Sequence, residues 1–195
     1  MNRRILAAFF GGAVAMATAI GAGGLLVIET GAFDVRASTP HSAPVAWATH
    51  TTMIHAARRG AAAVAPPTRF TAAEVQAGLR DYNTNCVSCH GGPAVARAPW
   101  ASGMTPSPPF LPYAARQWTP SELYWIIKHG VKMTGMPAWN TTRSDGQIWD
   151  LVAFLEALPD LSPAAYLRMK APEPMPGPAT GAARPGMGSG AFMRR

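Results

Sequence analysis

Disulfide chemistry is almost absent from this sequence. Its two cysteines, Cys86 and Cys89, sit three apart in one motif, so no bridge framework spans the chain and something else must staple any small core. Charge is sparse too, at 14% of 195 residues, and the net +7 is poorly placed for nucleic acid. Between Thr68 and Lys170, nine Lys/Arg stand against seven Asp/Glu; the surplus lies towards the ends, in Arg3, Arg4, Arg58, Arg59, Arg184, Arg194 and Arg195. No stripe of Lys/Arg interleaves with aromatics, which argues against a nucleic-acid partner. Strand-type alternation is missing as well, and helices are the regular element the pattern supports.

What the chain does have begins with a long apolar run. Ile5 to Ile28 is free of charge over 24 positions, which as a helix spans roughly 36 Å, enough to cross a bilayer's hydrocarbon core. Arg3 and Arg4 precede it, and Glu29 and Asp34 follow. That asymmetry predicts a cytoplasmic N-terminus and an exported remainder, with membrane lipid contacted through residues 5–28. A cleaved signal peptide is the competing reading, because Val35-Arg36-Ala37 offers a small-residue cleavage site. The run exceeds the usual apolar length of such a peptide, so residues 1–30 are expected as an uncleaved single-pass anchor in the inner membrane.

Residues 31–67 read as a linker, bracketed by Pro40, Pro44 and Pro66-Pro67, with a possible helix from about Val45 to Val64. Its His41, His50 and His55 are expected to be solvated. Residues 68–170 carry sharper signals. Thr71-Ala72-Ala73-Glu74 is a capping box ahead of the apolar face Val75, Gly78, Leu79 and Tyr82. Thr119-Pro120-Ser121-Glu122 opens a second helix with Leu123, Ile126 and Ile127 on one face and Gly130 as its stop. Ser144 to Gln147 opens a third, with Ile148, Leu151, Val152, Leu155 and Leu158 at helical spacing, closed by Pro159. Gly91 to Trp118 is rich in Pro, Gly and Ser, the composition of an ordered loop wrapped around something. Residues 171–195, dominated by Pro, Gly, Ala and Met, are expected as a disordered tail.

Cys86-Val87-Ser88-Cys89-His90 is the strongest chemical signal. Two cysteines at i and i+3 on a helical turn can reach the two vinyl groups of a haem as thioethers, leaving His90 beneath the iron as proximal ligand. A dithiol redox pair lacks its βαβ setting, and a zinc site would have only Cys86, Cys89 and His90 with the distant His129. A sixth ligand is offered by Met133-Thr134-Gly135-Met136-Pro137. Met136 is the choice, since Gly135 permits close backbone approach and Pro137 stiffens the loop. Met133 is the fallback, ahead of Met104 and His129. Trp100, Trp118, Trp125 and Trp139 are expected to pack around a large apolar disc, and Trp139 also stands near enough in sequence to reach a haem propionate.

Cys-x-x-Cys-His followed 46 residues later by a Gly-Met-Pro-Ala-Trp segment, and then a Trp/Phe-bearing helix, resembles the class I cytochrome c family over about Thr68 to Leu167. The resemblance implies an all-α, cytochrome c-like haem domain of three to four short helices. It further implies one covalent haem c ligated by His90 and Met136, and first and last helices crossing near Gly78 and Tyr82 on one side and Trp149, Val152 and Phe154 on the other. The family's loop proline, whose carbonyl orients the proximal imidazole, has no clean match; Pro93 and Pro99 are the nearby candidates. With both axial positions filled, the expected role is outer-sphere electron transfer, which makes the chain a periplasmic single-electron carrier and not an enzyme. Its partners would be membrane redox complexes or other electron-transfer proteins, with Arg97, Arg116, Lys128 and Lys132 bordering the haem edge. The alternative is a dedicated cytochrome c subunit of a dehydrogenase or oxidase complex.

Overall fold

The computed structural model describes residues 2–171, so the tail expected from Ala171 onward lies, apart from that first residue, outside the described residues. Among the described residues there is no strand, only an isolated bridge between Gly92 and Val95. The described residues form eight α-helices in succession: α1 (Arg3–Thr30), α2 (Ala43–Ala61), α3 (Ala72–Asn85), α4 (Val87–His90), α5 (Leu111–Ala114), α6 (Pro120–His129), α7 (Asp145–Ala157) and α8 (Pro163–Lys170).

The helix α1 buries none of its 28 residues. Ile5, Phe9, Phe10, Val14, Ile20, Leu25 and Ile28 all stand exposed along it, and it is long and apolar enough to cross a membrane. Gly31, in the left-handed region at φ 64°, ends it.

The segment expected as a linker contains α2, whose C-terminal half packs on α6. Ala57 and Ala61 are buried there, and a Cβ on Gly60 would collide with the Trp125 ring. Ser121 Oγ donates to the Val64 carbonyl at 2.8 Å, while the Arg58–Glu122 ion pair at 3.6 Å lies largely in solvent on the arginine side and adds little.

The capping box expected at Thr71 forms, and the helix starts expected at Thr119 and Ser144 prove to be capping boxes as well. Thr71, Thr119 and Ser144 each accept a hydrogen bond from the backbone N–H three residues on, and Glu74, Glu122 and Gln147 each accept one from the backbone N–H of the cap. The apolar faces are set by those starts. Leu79 and Tyr82 of α3, Leu123, Tyr124 and Ile127 of α6, and Ile148, Leu151, Val152, Phe154 and Leu155 of α7 form one core with Leu158 and Tyr166. Ile126, expected on the buried face of α6, is only half-buried, and Tyr124 takes that role.

Helices α3 and α7 cross at Gly78, where a Cβ would collide with the Asp150 carbonyl and lie 2.8 Å from Phe154 Cβ. Tyr82 packs on Phe154 with ring centroids 5.0 Å apart. Trp149, expected at this crossing, instead turns to α6, stacking on Tyr124 at 4.3 Å; one step along a helix rotates a side chain about 100°. The sequence pattern did not announce α8. It opens on Ser162, which caps Ala165 N–H, and inserts the buried Tyr166, whose hydroxyl donates to Asn83 Oδ1 at 2.8 Å.

Replacing Gly78 by Ala is expected to lower stability by about 1–3 kcal/mol, because the obstructing atoms are backbone and core and cannot swing aside. A chemical-denaturation midpoint, compared with that of the exposed change Gly103→Ala, checks it. The wider change Gly60→Leu should free α2 from α6 and increase amide exchange across residues 57–64 while α3 and α7 stay protected.

Candidate functional site

The helix α3 delivers the cysteine motif as a direct continuation of the core. Cys86 N–H still donates to the Tyr82 carbonyl at 2.9 Å, and His90 N–H donates to the Cys86 carbonyl at 2.9 Å, making α4 a single tight turn. Gly91 then reverses the chain in the left-handed region, at φ 69°. The buried Tyr82 hydroxyl donates to the Gly91 carbonyl at 2.6 Å, tying the turn to the α3–α7 crossing. Cys86 and Cys89 are not bridged to one another, and both are half-buried. Burial, aided by the nearby Asp81 carboxylate, pushes the Cys86 thiol up to about 12.

His90 is oriented from the opposite side of the loop. Its Nδ1 lies 2.8 Å from the Pro109 carbonyl, an oxygen with no proton of its own, so Nδ1 donates and Nε2 is the nitrogen left for another partner. Burial is the main influence lowering the imidazole's affinity for a proton, the Pro109 bond opposes it, and Arg97 adds to the lowering. Neither Pro93 nor Pro99 supplies this carbonyl. The chain first makes the tight Gly92–Val95 turn and a short 3-10 turn over Pro99–Gly103, and returns to His90 only at Pro109. Phe110 seats that return: a Cβ on Gly91 would meet its ring at 2.7 Å.

The second segment hangs between α6 and α7. Gly130, at φ 63°, ends α6, and Pro137 and Ala138 backbone atoms occupy the space a Cβ there would need. Val131 N–H donates to the Met136 carbonyl at 3.2 Å. Thr134 Oγ1 donates to the Val131 carbonyl at 2.7 Å and accepts from Met136 N–H at 3.1 Å. The loop is thus closed on itself with Met136 at its base, half-buried against the core cluster that also receives Cys86 and Val87. Met133 stands at the tip, 87% exposed. The Met104 methyl fills the position a Gly135 Cβ would take, so the loop carrying Met104 abuts the one carrying Met136. His129 is exposed, resting on the Trp125 ring at 5.0 Å.

The tryptophans divide. Trp118 and Trp139 pack against the core and Trp125 packs on α2, whereas Trp100 is 59% exposed. Two of the cations expected around the site are already paired. Lys128 Nζ donates to Asp145 Oδ1 at 2.7 Å and to the Tyr124 hydroxyl at 2.9 Å, and Arg116 pairs with Asp160. Arg97 lies over the Phe110 ring at 5.8 Å. Sequence reasoning missed Pro109 and the half-buried pair Asp81–Arg143; the Pro108-Pro109-Phe110 cluster was the available signal for the first.

The donor set fits a covalently held haem: two thiols on one helical turn, a neutral imidazole with its outer nitrogen fixed, and a soft thioether on a glycine-flanked loop packed against the same core. Residues 73–155 match the model of the family described as Cytochrome C oxidase, cbb3-type, subunit III, a class I c-type cytochrome domain. Among curated proteins nothing matches the chain. The all-helical architecture and the long apolar N-terminal helix agree with the fold class expected from the sequence.

Gly91→Ala is expected to cost about 1–3 kcal/mol of stability, from the positive φ and the collision with Phe110. Because it displaces the Pro109 return, it should also broaden the His90 ring resonances in NMR spectra, whereas Gly103→Ala leaves them sharp.

Proposed function

We propose that residues 68–170, with the class I c-type cytochrome domain at their centre, carry one haem c that would be bonded through Cys86 and Cys89 and held by His90 and Met136. On this proposal the chain is a single-electron carrier tethered to the inner membrane by residues 1–30, with residues 31–67 next in the chain and the haem domain in the periplasm. The observation that supports it most is the fixed imidazole. With Nδ1 engaged by Pro109 at 2.8 Å, His90 is committed to one nitrogen and one direction, one residue beyond the second thiol.

A haem c held by these residues supplies a one-electron ferric/ferrous couple. His90 keeps its tautomer through Pro109. Met136 contributes a neutral thioether that favours ferrous iron and raises the potential. Thr134 and Val131 hold the methionine's backbone, and Cys86 and Met136 pack against the same apolar core. Residues that would supply two protein ligands to the iron, His90 and Met136, would suit outer-sphere transfer better than bond-making. Arg3 and Arg4 before α1, and Glu29 and Asp34 after it, support the orientation.

A second reading, a dedicated cytochrome c subunit of a dehydrogenase or oxidase complex, is favoured by the oxidase subunit after which the matching family is described. Co-purification of a larger enzyme from gently solubilised membranes separates it from the free carrier.

Membrane fractionation with intact-mass measurement tests the proposal. The expected product stays in the membrane pellet after alkaline wash and carries the mass of one haem, and Cys86→Ser with Cys89→Ser abolishes the addition. Met136→Ala should lower the potential and remove the weak red absorption band of methionine-bound ferric haem, whereas Met133→Ala should leave both unchanged.

A further inference from the structure

We propose that Asp81 and Arg143 form a clamp that positions the Met136 loop against the helix leading into the cysteine motif, and so sets how tightly the sixth ligand is held. The inference rests on the assignment of His90 and Met136 as axial ligands.

Arg143 Nε donates to Asp81 Oδ2 at 2.6 Å and its Nη2 donates to Oδ1 at 2.7 Å, a two-pronged pair linking segments 62 residues apart. Of the five ion pairs among the described residues, this one is the most shielded, with side-chain exposures of 14% and 21%; the others each leave at least one partner mostly in water. Shielded, bidentate pairs are geometrically specific and weakly screened, and removing one member leaves a charge without its partner.

The attachment points give the pair its meaning. Asp81 is on α3, five residues before Cys86, and is itself held by Asn85 Nδ2 at 2.6 Å, the residue preceding that cysteine. Arg143 closes the other segment. Its guanidinium covers the Trp139 ring at 4.4 Å, its N–H donates to the Trp139 carbonyl at 2.9 Å, and its Nη1 donates to Thr142 Oγ1 at 2.9 Å. Trp139 is three residues beyond Met136. The hydrogen bonds of residues 131–136 are internal to that loop, so beside the packing of Met104 on Gly135 and of Met136 on the core, its polar tie to α3 runs through the Trp139–Arg143 segment at its C-terminal side. Arg143 and Asp81 are positioning residues: neither hydrogen-bonds to His90 or Met136, and on the proposal they fix the distance over which the thioether must reach.

Competition by free imidazole for the sixth position of the ferric holoprotein tests this. The parent protein must first show the red band of methionine ligation; its absence would overturn the ligand assignment without bearing on the clamp. Given the band, Arg143→Gln and Asp81→Asn are each expected to bind imidazole about tenfold more tightly while keeping the band when imidazole is absent. Arg143→Lys, which keeps charge but loses the fork, should fall between. The double change Asp81→Asn/Arg143→Gln should add little to either single change, because both break one link. Leu158→Ala, a core change remote from the pair in sequence, should lower stability yet leave imidazole affinity at the parent value. Parent-like affinity in the single variants, additive effects in the double, or an equal gain in Leu158→Ala would overturn the clamp. If Arg143→Gln fails to fold, Arg143→Lys and the double variant carry the comparison, since neither leaves a half-buried charge without a partner.

Discussion

The approach of α3 to α7 at Gly78 governs the rest of the molecule, because it sets the distance between the two longest helices of the core and with it the place where α3 ends. Helix packing normally keeps axes 8–10 Å apart according to the side chains between them. Here the contact is backbone on backbone, Gly78 against the Asp150 carbonyl. Tyr82, one turn further on, is carried under Phe154 and delivers its hydroxyl to the Gly91 carbonyl. A larger residue at 78 would tilt α3, and the displacement would arrive at Cys86, Cys89 and His90 as a lever moves its far end. Core packing and site geometry are therefore one constraint seen at two positions.

From that fixed end the loop must leave, travel round and come back to the same histidine. It does so on small local devices: the Gly92–Val95 turn, the Pro99–Gly103 turn, and the Phe110 ring seated on Gly91. Few apolar residues in this loop are fully buried, Ala101 and Pro112 among them. A region of roughly 100 residues has little spare core with which to hold such a loop. On the proposed function the porphyrin supplies apolar area that these helices lack, which makes the group structural as well as functional.

How much of the molecule is legible in its sequence depends on the range of the interaction. Helix starts are encoded within four residues, and Thr71, Thr119 and Ser144 were legible with their partners Glu74, Glu122 and Gln147. The cysteine motif and the Met133–Pro137 segment stand out for the same reason, as short patterns, and the proposal that they hold a haem starts from them. Trp149 was misplaced by one helical step, since periodicity gives a face about 100° wide and α7 is buried nearly all round. Pro109, Asp81 and Arg143 act across separations of 19 and 62 residues, where spacing carries no signal. The helix α8 lacked an apolar stripe; its one buried aromatic, Tyr166, is held through Asn83 on α3, a partner invisible from the local pattern.

The docking of α2 on α6 changes the physics of the tether as well as the fold. Had residues 31–67 all been flexible spacer, their root-mean-square span would be about 33 Å. With α2 held against α6 through Ala57, Gly60 and Ala61, only residues 31–42 separate the end of α1 from the next helix, and a chain of that length spans about 20 Å. Thr105 Oγ1 donating to the Ala37 carbonyl at 2.5 Å brings that short segment to the loop bearing Met104. On the proposed function, with α1 as the anchor, local concentration near a membrane partner rises as roughly the inverse three-halves power of tether length, about fivefold between these two spans. On the proposed function a short tether favours exchange with redox partners whose donor or acceptor groups lie close to the bilayer surface. It suits such neighbours better than diffusion to distant ones, whether the chain serves as a carrier or as a resident subunit.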